Sequence, residues 1–397
     1  MYENILSKFN AAGETPIGEG TFALIYKGFS DQLNIDVAVK IFKKEHHSDQ
    51  NYLEKFINEA QKVAGINHPN IIRIYANQLD EFYYVMSLLD MTLSDRLQSR
   101  GGMLSEGKLI RLAIEIAQAL SELSNQERFG KRNVIHRDLK PANIMFDFND
   151  NAVLTDFGVS IYEDEVPDSV AGTAQYMAPE QFKYGQKLDS RSDLYSLGVI
   201  LYEVSTGRLP FVGTDFDELK KKHQNKIPTD PREYFLGIND EIADVILKLL
   251  EKDPGKRFPS PHSLLKKLEN IRENYKNKRK SEYLNYRQNG ETQNAKVVCE
   301  DYLRDVDPAD RYFSEEFSKI KFMELINATK QDLVSLNVEK AVQRLEKIEM
   351  SLETESEKEY RTLKESIQIV KNCYRELLAN LGKADIASAR INFREID

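Results

Sequence analysis

Glycine and proline, the residues that punctuate regular structure, are concentrated in one part of this chain. Of 19 glycines only Gly290 and Gly382 lie beyond residue 261, and of 12 prolines only Pro308 does. Tight reversals draw on glycine's freedom and proline's fixed φ. The first two thirds must therefore turn often, whereas the last third can run in long helices. At 397 residues the chain exceeds one average domain, and this break in turn usage shows where to divide it. With 41% hydrophobic and 30% charged residues, a sizeable core is within reach. A net charge of −9 argues against a nucleic-acid partner, which would need a basic face. Cys299 and Cys373, the two cysteines, form neither a disulfide framework nor a metal pattern, which points to a reducing cytoplasm. The start Met1-Tyr2-Glu3-Asn4 resembles no signal peptide and offers no glycine for myristoylation. The most apolar stretch, 194–204, is too short to span a bilayer and contains Glu203, so no membrane partner is expected.

Residues 22–29 and 35–42 are short and rich in β-branched and aromatic side chains, as strands are. Residues 51–65 place Leu53, Phe56, Ile57, Ala60, Val63 and Ala64 at helical spacing, with Gly65 as the stop. Two further strands are expected at 71–75 and 82–86. Helices are expected at 108–124, 193–206, 240–251 and 260–273. A small β-rich lobe thus precedes a larger helical one. From about residue 275 the pattern is helical and highly charged, with bases and acids nearly balanced. The run Lys276-Asn277-Lys278-Arg279-Lys280 reads as a solvated linker or helix end, a functional basic patch being the other reading.

Gly18 and Gly20 lie between strand candidates, where glycine lets backbone N–H groups approach phosphate oxygens; a plain hairpin turn is the alternative. Lys40 ends the apolar run Val37-Ala38-Val39-Lys40. A lysine in such a strand is costly to bury unpaired. Glu59, within the apolar helical face of 51–65, is the favoured partner, and Glu54 is the alternative.

The segment His136-Arg137-Asp138-Leu139-Lys140-Pro141-Ala142-Asn143 is followed by Asp156-Phe157-Gly158 and Ala178-Pro179-Glu180. In order and spacing these residues resemble the eukaryotic-like protein serine/threonine kinase family, over residues of about 10–273. The resemblance implies an α+β, bilobal fold, with an N-lobe of about 10–86 and a C-lobe of about 90–273. It implies ATP and Mg2+, or Mn2+, as cofactors and proteins as substrates. Asp138 is then the catalytic base, and Asn143 and Asp156 hold the metal. Lys40, paired with Glu59, grips the α- and β-phosphates, and Lys140 contacts the transferred phosphate. Lys140 and Thr173 follow the serine/threonine subclass. The adenine pocket is formed by Ile17, Ile25 and Ala38 above and Met145 below, with Met86 as gatekeeper and the backbones of Ser87 and Leu89 as hinge. Two departures stand out: Ala23 replaces the third glycine of the phosphate loop, and Ser87 replaces a commonly acidic hinge residue. Asp193 is implied to hold the catalytic-loop backbone, and Glu180 to pair with Arg257. Ser160, Ser169 and Thr173 are the activation-loop hydroxyls. Arg137 meets either a loop phosphate or the loop acids Glu163, Asp164, Glu165 and Asp168.

The resemblance does not reach residues 274–397. There 274–315 reads as a helical connection and 316–397 as a helical interaction domain, for a protein partner or self-association. Apolar stripes run through Leu336, Val338, Ala341, Val342, Leu345 and Ile348, and again through Tyr360, Leu363, Ile367, Val370, Tyr374, Leu377 and Leu378. The echo of the first stripe at Ala389, Phe393 and Ile396 suggests stacked helical hairpins; a plain bundle is the alternative. Two competing functions are a pseudokinase scaffold and a small-molecule kinase of related fold. Lys40, Asp138, Asn143 and Asp156 oppose the first, and Lys140 with residues 172–180 opposes the second.

Overall fold

The computed structural model describes residues 2–334 except 12, 100–102, 168 and 236, with a few isolated positions beyond. Two compact units divide at Lys278 and Arg279. The first unit begins with α1 (Tyr2–Ser7), β1 (Gly18–Glu19), β2 (Ala23–Ser30), β3 (Ile35–Phe42), α2 (Gln50–Val63), β4 (Ile74–Gln78) and β5 (Tyr83–Ser87). These strands form one antiparallel sheet in the order β1-β2-β3-β5-β4. Side chains alternate across a strand, and β3 uses both faces. Val37, Val39 and Ile41 pack with Ile5 and Leu6 of α1. On the other face Phe42 joins Ala23, Tyr84 and the α2 residues Phe56 and Ala60. Lys40, in step with Phe42, lies opposite Ile25 and Tyr84 in the register.

Helix α2 starts where Asp49 accepts hydrogen bonds from the N–H groups of Asn51 and Tyr52, at 3.0 and 3.2 Å, which satisfies two first-turn donors. Phe56, Glu59, Ala60 and Val63 form its buried stripe. The chain leaves through Gly65 at φ +74°. The strand expected at 71–75 begins three residues later. Leu154 N–H donates to Asn70 O and Ile72 N–H to Leu154 O, both at 2.9 Å. Ile71 and Ile72 therefore join the core of the second lobe.

The second lobe contains α3 (Leu93–Ser99), α4 (Glu106–Leu123), β6 (Val134–Ile135), β7 (Ile144–Phe146), β8 (Ala152–Leu154), β9 (Ile161–Tyr162), α5 (Arg191–Thr206), α6 (Phe216–Asn225), α7 (Asp240–Leu249) and α8 (Pro261–Gln288). Helix α5 is buried along nearly its whole length. Gly198 lets α7 approach it, since a Cβ there would fall 2.6 Å from the Cβ of Leu249. The guanidinium of Arg257, fully shielded from solvent, donates to both oxygens of Glu180, at 2.7 and 2.9 Å. Helix α8 continues fifteen residues past the expected end at 273, so the basic run 276–280 lies inside a helix.

In the second unit, α9 (Thr292–Asp305) and α10 (Arg311–Val334) pack through stacked Tyr302 and Phe313 rings, 4.2 Å apart. The hydroxyl of Tyr283 donates to Glu316. The apolar stripes expected beyond Val334 lie outside the described residues. Among the described residues no helix is long and apolar enough to cross a membrane.

His223 of α6 is completely buried among Tyr195, Phe182 and Phe211, and its Nδ1 shares a 3.0 Å hydrogen bond with the Tyr195 hydroxyl. Burial, aided by the nearby charge of Lys252, pushes its pKa down to about 3. The unfolded chain therefore takes up a proton near the ordinary value of about 6.5 that the folded chain refuses. Stability contributed by neutral His223 is complete above that pH and falls as pH drops toward 3. Between pH 7 and 5 the loss should be about 2 kcal/mol. Urea denaturation at both pH values should show this difference, and His223→Met should largely remove it.

Candidate active site

The loop that carries Asp138 is held from beneath. Asp193, buried on α5, accepts hydrogen bonds from the N–H groups of His136 and Arg137, at 2.8 and 2.9 Å. Burial pushes its pKa upward, and the neighbouring His136 and these N–H groups oppose that. The clamp fixes Arg137 at φ +71°, a left-handed backbone that non-glycine residues adopt at a cost. Asp156 is likewise at φ +61°. The imidazole of His136 packs 4.7 Å from the ring of Phe157.

With the loop so held, the Asp138 carboxylate is ringed by donors. Its Oδ1 accepts from the N–H and hydroxyl of Thr173, at 2.7 and 2.8 Å. Its Oδ2 accepts from Lys140 Nζ at 2.7 Å and Asn143 Nδ2 at 3.2 Å. Lys140 also donates to Thr173 Oγ1 at 2.9 Å. Because the Asn143 amide nitrogen also donates to the Asp138 carbonyl, at 2.8 Å, its oxygen is the atom left to meet a cation.

Across the cleft, Lys40 Nζ donates to both carboxylate oxygens of Glu59, at 2.6 and 2.7 Å. Glu59 is the partner, and the alternative Glu54 instead accepts from Gln50. Burial raises the pKa of Glu59, while Lys40 pulls it back down. The ammonium also lies 5.8 Å from the ring centres of Phe22 and Tyr84.

A cavity of about 470 Å³ lies between the lobes. Ile17, Gly18, Gly20, Ile25, Ala38, Lys40, Met86, Ser87, Leu89 and Met145 all line it, together with Glu59, Asn143 and Asp156. The Ser87 N–H is taken by Arg73 O at 2.9 Å, so its carbonyl is the hinge group that can face a base. Ala23 sits in β2 with its methyl buried, and the loop tip closes by a 2.9 Å hydrogen bond from Gly20 N–H to Ala23 O. The missing third glycine therefore costs the turn nothing.

A protein kinase domain family matches residues 12–268. The chain belongs to the protein kinase family. It is 34% identical over 271 residues to a probable serine/threonine-protein kinase of Clostridium acetobutylicum, covering 66% of this chain and 40% of that protein. It is 35% identical over 256 residues to the serine/threonine-protein kinase PknB of Mycolicibacterium smegmatis, covering 61% and 40%. The chain thus matches only about two fifths of the length of these curated relatives.

Kinase-family membership implies ATP and a divalent metal, and the donor set suits a hard cation. Asn143 and Asp156 present oxygen atoms to the cavity. Among the described residues there is no cluster of three or more His, Cys, Asp or Glu that could hold a metal ion.

The activation-loop residues are placed very differently from one another. Ser160 is buried, its hydroxyl donating to Phe157 O at 2.7 Å. Thr173 is engaged by Asp138 and Lys140. Ser169 is exposed, and its carbonyl accepts from Arg137 Nη2 at 2.8 Å. Asp164 and Glu165 pair with Arg132, at 2.6 and 3.1 Å, rather than with Arg137. Asp168 lies outside the described residues. Sequence reading missed Tyr84, Asp90, Thr92 and Thr155, all of which line the cavity. Tyr84 was detectable, being two residues before Met86 on a strand and hence on the same face.

Glu59→Gln should leave Lys40 without a charged partner in a buried setting. Removing one member of such a pair costs at least about 2 kcal/mol, so kcat/KM for ATP should fall by about 30-fold or more, as read by steady-state kinetics.

Proposed function

We propose that this chain is an ATP-dependent protein serine/threonine kinase that uses Mg2+, with Mn2+ as a substitute. The observation that carries this reading is the convergence on Asp138 of Lys140, Asn143 and Thr173, across the cleft from the Lys40–Glu59 pair. Phosphoryl transfer asks mainly for positioning and charge neutralisation. Lys40 orients the α- and β-phosphates, and Asn143 and Asp156 hold the cation that offsets the charge of the phosphates. A substrate serine or threonine hydroxyl reaches Asp138 Oδ2 by replacing the long Asn143 contact. Its oxygen bonds to the γ-phosphorus as the bond to the β–γ bridging oxygen breaks. Asp138 receives the proton, Lys140 steadies the transferring phosphoryl group, and ADP leaves. The adenine is held by the Ser87 carbonyl and the Leu89 backbone between Ile25, Ala38 and Met145.

Among the loop hydroxyls, Ser169 is the autophosphorylation site this geometry favours, because it is exposed and adjoins Arg137. A phosphate on Thr173 would crowd the Asp138 carboxylate, and Ser160 would first have to leave the core. The second unit is read as an interaction module, supported by the exposed Leu284, Val297 and Met323.

Asp138→Asn should reduce phosphoryl transfer by about 10²–10⁴-fold while ATP binding stays near normal. Incubation of the unaltered chain with ATP and Mg2+, followed by mass spectrometry, should place phosphate on Ser169 in preference to Thr173 and Ser160. Full activity of the Asp138→Asn chain would overturn the assignment of the base.

A further inference from the structure

The tip of the glycine-rich loop is tied to α2 by side chains that no role assigned so far explains. Thr21 and Phe22 form this tip. The Thr21 carbonyl lies 3.0 Å from His46 Nε2. A carbonyl oxygen can only accept, so Nε2 carries the proton and donates. The His46 ring meets the ring of Tyr52 edge-on at 4.8 Å, and Tyr52 stacks on Phe22 at 5.9 Å. Tyr52 stands in the first turn of α2, shortly after the Asp49 cap and seven residues before Glu59. Phe22 in turn closes on the reaction centre. A Cβ added at Gly158 would lie 3.9 Å from Phe22 Cζ and 4.0 Å from Glu59 Oε2.

We propose that Tyr52 and His46 are positioning residues for the nucleotide, clasping the tip of the phosphate loop to the helix that bears Glu59. This inference rests on the kinase reading above. The physical argument is entropic. A glycine-bearing loop left free must be ordered each time its backbone N–H groups close on phosphate. A hydrogen bond to Thr21 O and an aromatic stack on Phe22 order it in advance. The clasp also makes loop closure and the inward position of α2 a single event. Tyr52 and His46 touch neither the cavity wall nor Asp138, so their effect is on how tightly nucleotide is held.

The test uses the full chain with two substitutions, each with a conservative control. Tyr52→Ala removes the stack, and Tyr52→Phe keeps the ring. His46→Ala removes the donor to Thr21 O, and His46→Gln restores one. Equilibrium binding of ATP with Mg2+, and KM for ATP against kcat, are measured for all four, with thermal unfolding as a check on folding. Tyr52→Ala and His46→Ala should each weaken ATP binding and raise KM by about 3- to 10-fold, the size of one ring pair or hydrogen bond. Because ground and transition states lose the contact equally, kcat at saturating ATP should stay within about twofold. Both conservative variants should behave like the unaltered chain. A drop in kcat with KM unchanged, or Tyr52→Phe as impaired as Tyr52→Ala, would overturn the clasp. Should Tyr52→Ala fail to fold, the His46 pair on the connection before α2 decides the matter alone. ATP binding without phosphoryl transfer would refute the kinase reading and leave the clasp standing. Normal transfer with unchanged KM in the alanine variants would do the reverse, and a chain that binds no ATP would refute both.

Discussion

The buried carboxylate of Asp193 is the constraint from which the active site is built. It sits on the most deeply embedded helix of the second lobe and directs its charge at two backbone N–H groups of the catalytic loop. A buried carboxylate needs such donors, and a loop carrying a left-handed arginine needs a rigid acceptor. Each supplies what the other lacks. With Arg137 fixed in that conformation, the oxygens of Asp138 order Thr173, Lys140 and Asn143 around themselves. Gly172 continues this logic at φ +120°, because a side chain there would strike the Arg137 carbonyl at 2.7 Å.

The opposite wall depends on a different buried charge. Lys40 and Glu59 come from a strand and a helix that also share the apolar cluster of Phe42, Phe56 and Ala60. A buried ion pair contributes little net stability but fixes geometry well. Here it sets the rotation of α2 about its own axis, since a turn of one residue would bring Asn58 or Ala60 to face Lys40 instead.

Residue chemistry made the site readable before the fold was known. Lys40 stood out as a lysine in an apolar run, whereas Asp138, Asn143 and Asp156 were legible through the family resemblance carried by residues 136–143, 156–158 and 178–180. Periodicity also located α2, α4, α5 and α7 to within two residues at most ends. It failed where a tertiary partner overrode the local pattern. Ile71 and Ile72 look like the start of a strand but pair with Leu154, more than eighty residues away. The end expected for α8 at 273 was too early, because no glycine or proline interrupts residues 274–288 and the helical pattern read from about 275 is the same helix continuing. The placement of Asp164 and Glu165 against Arg132 was equally hidden, since one exposed acid resembles another until the backbone has chosen which base it faces.

The apolar side chains of α2 are divided between two cores of unequal size. Phe56 and Ala60 belong to the small cluster under the sheet, whereas Val63, one turn on, belongs to the large cluster that also contains Phe157 and most of the second lobe. Opening the small cluster exposes few side chains, and opening the large one exposes dozens. Native-state hydrogen exchange therefore has a built-in gradient along a single helix. Amides near the start of α2 can exchange through a local opening, while those near Val63 wait for the whole lobe. Mechanically the helix is a lever with a fixed fulcrum at its C-terminal end, and Glu59 sits one turn from that fulcrum, where the swing is small.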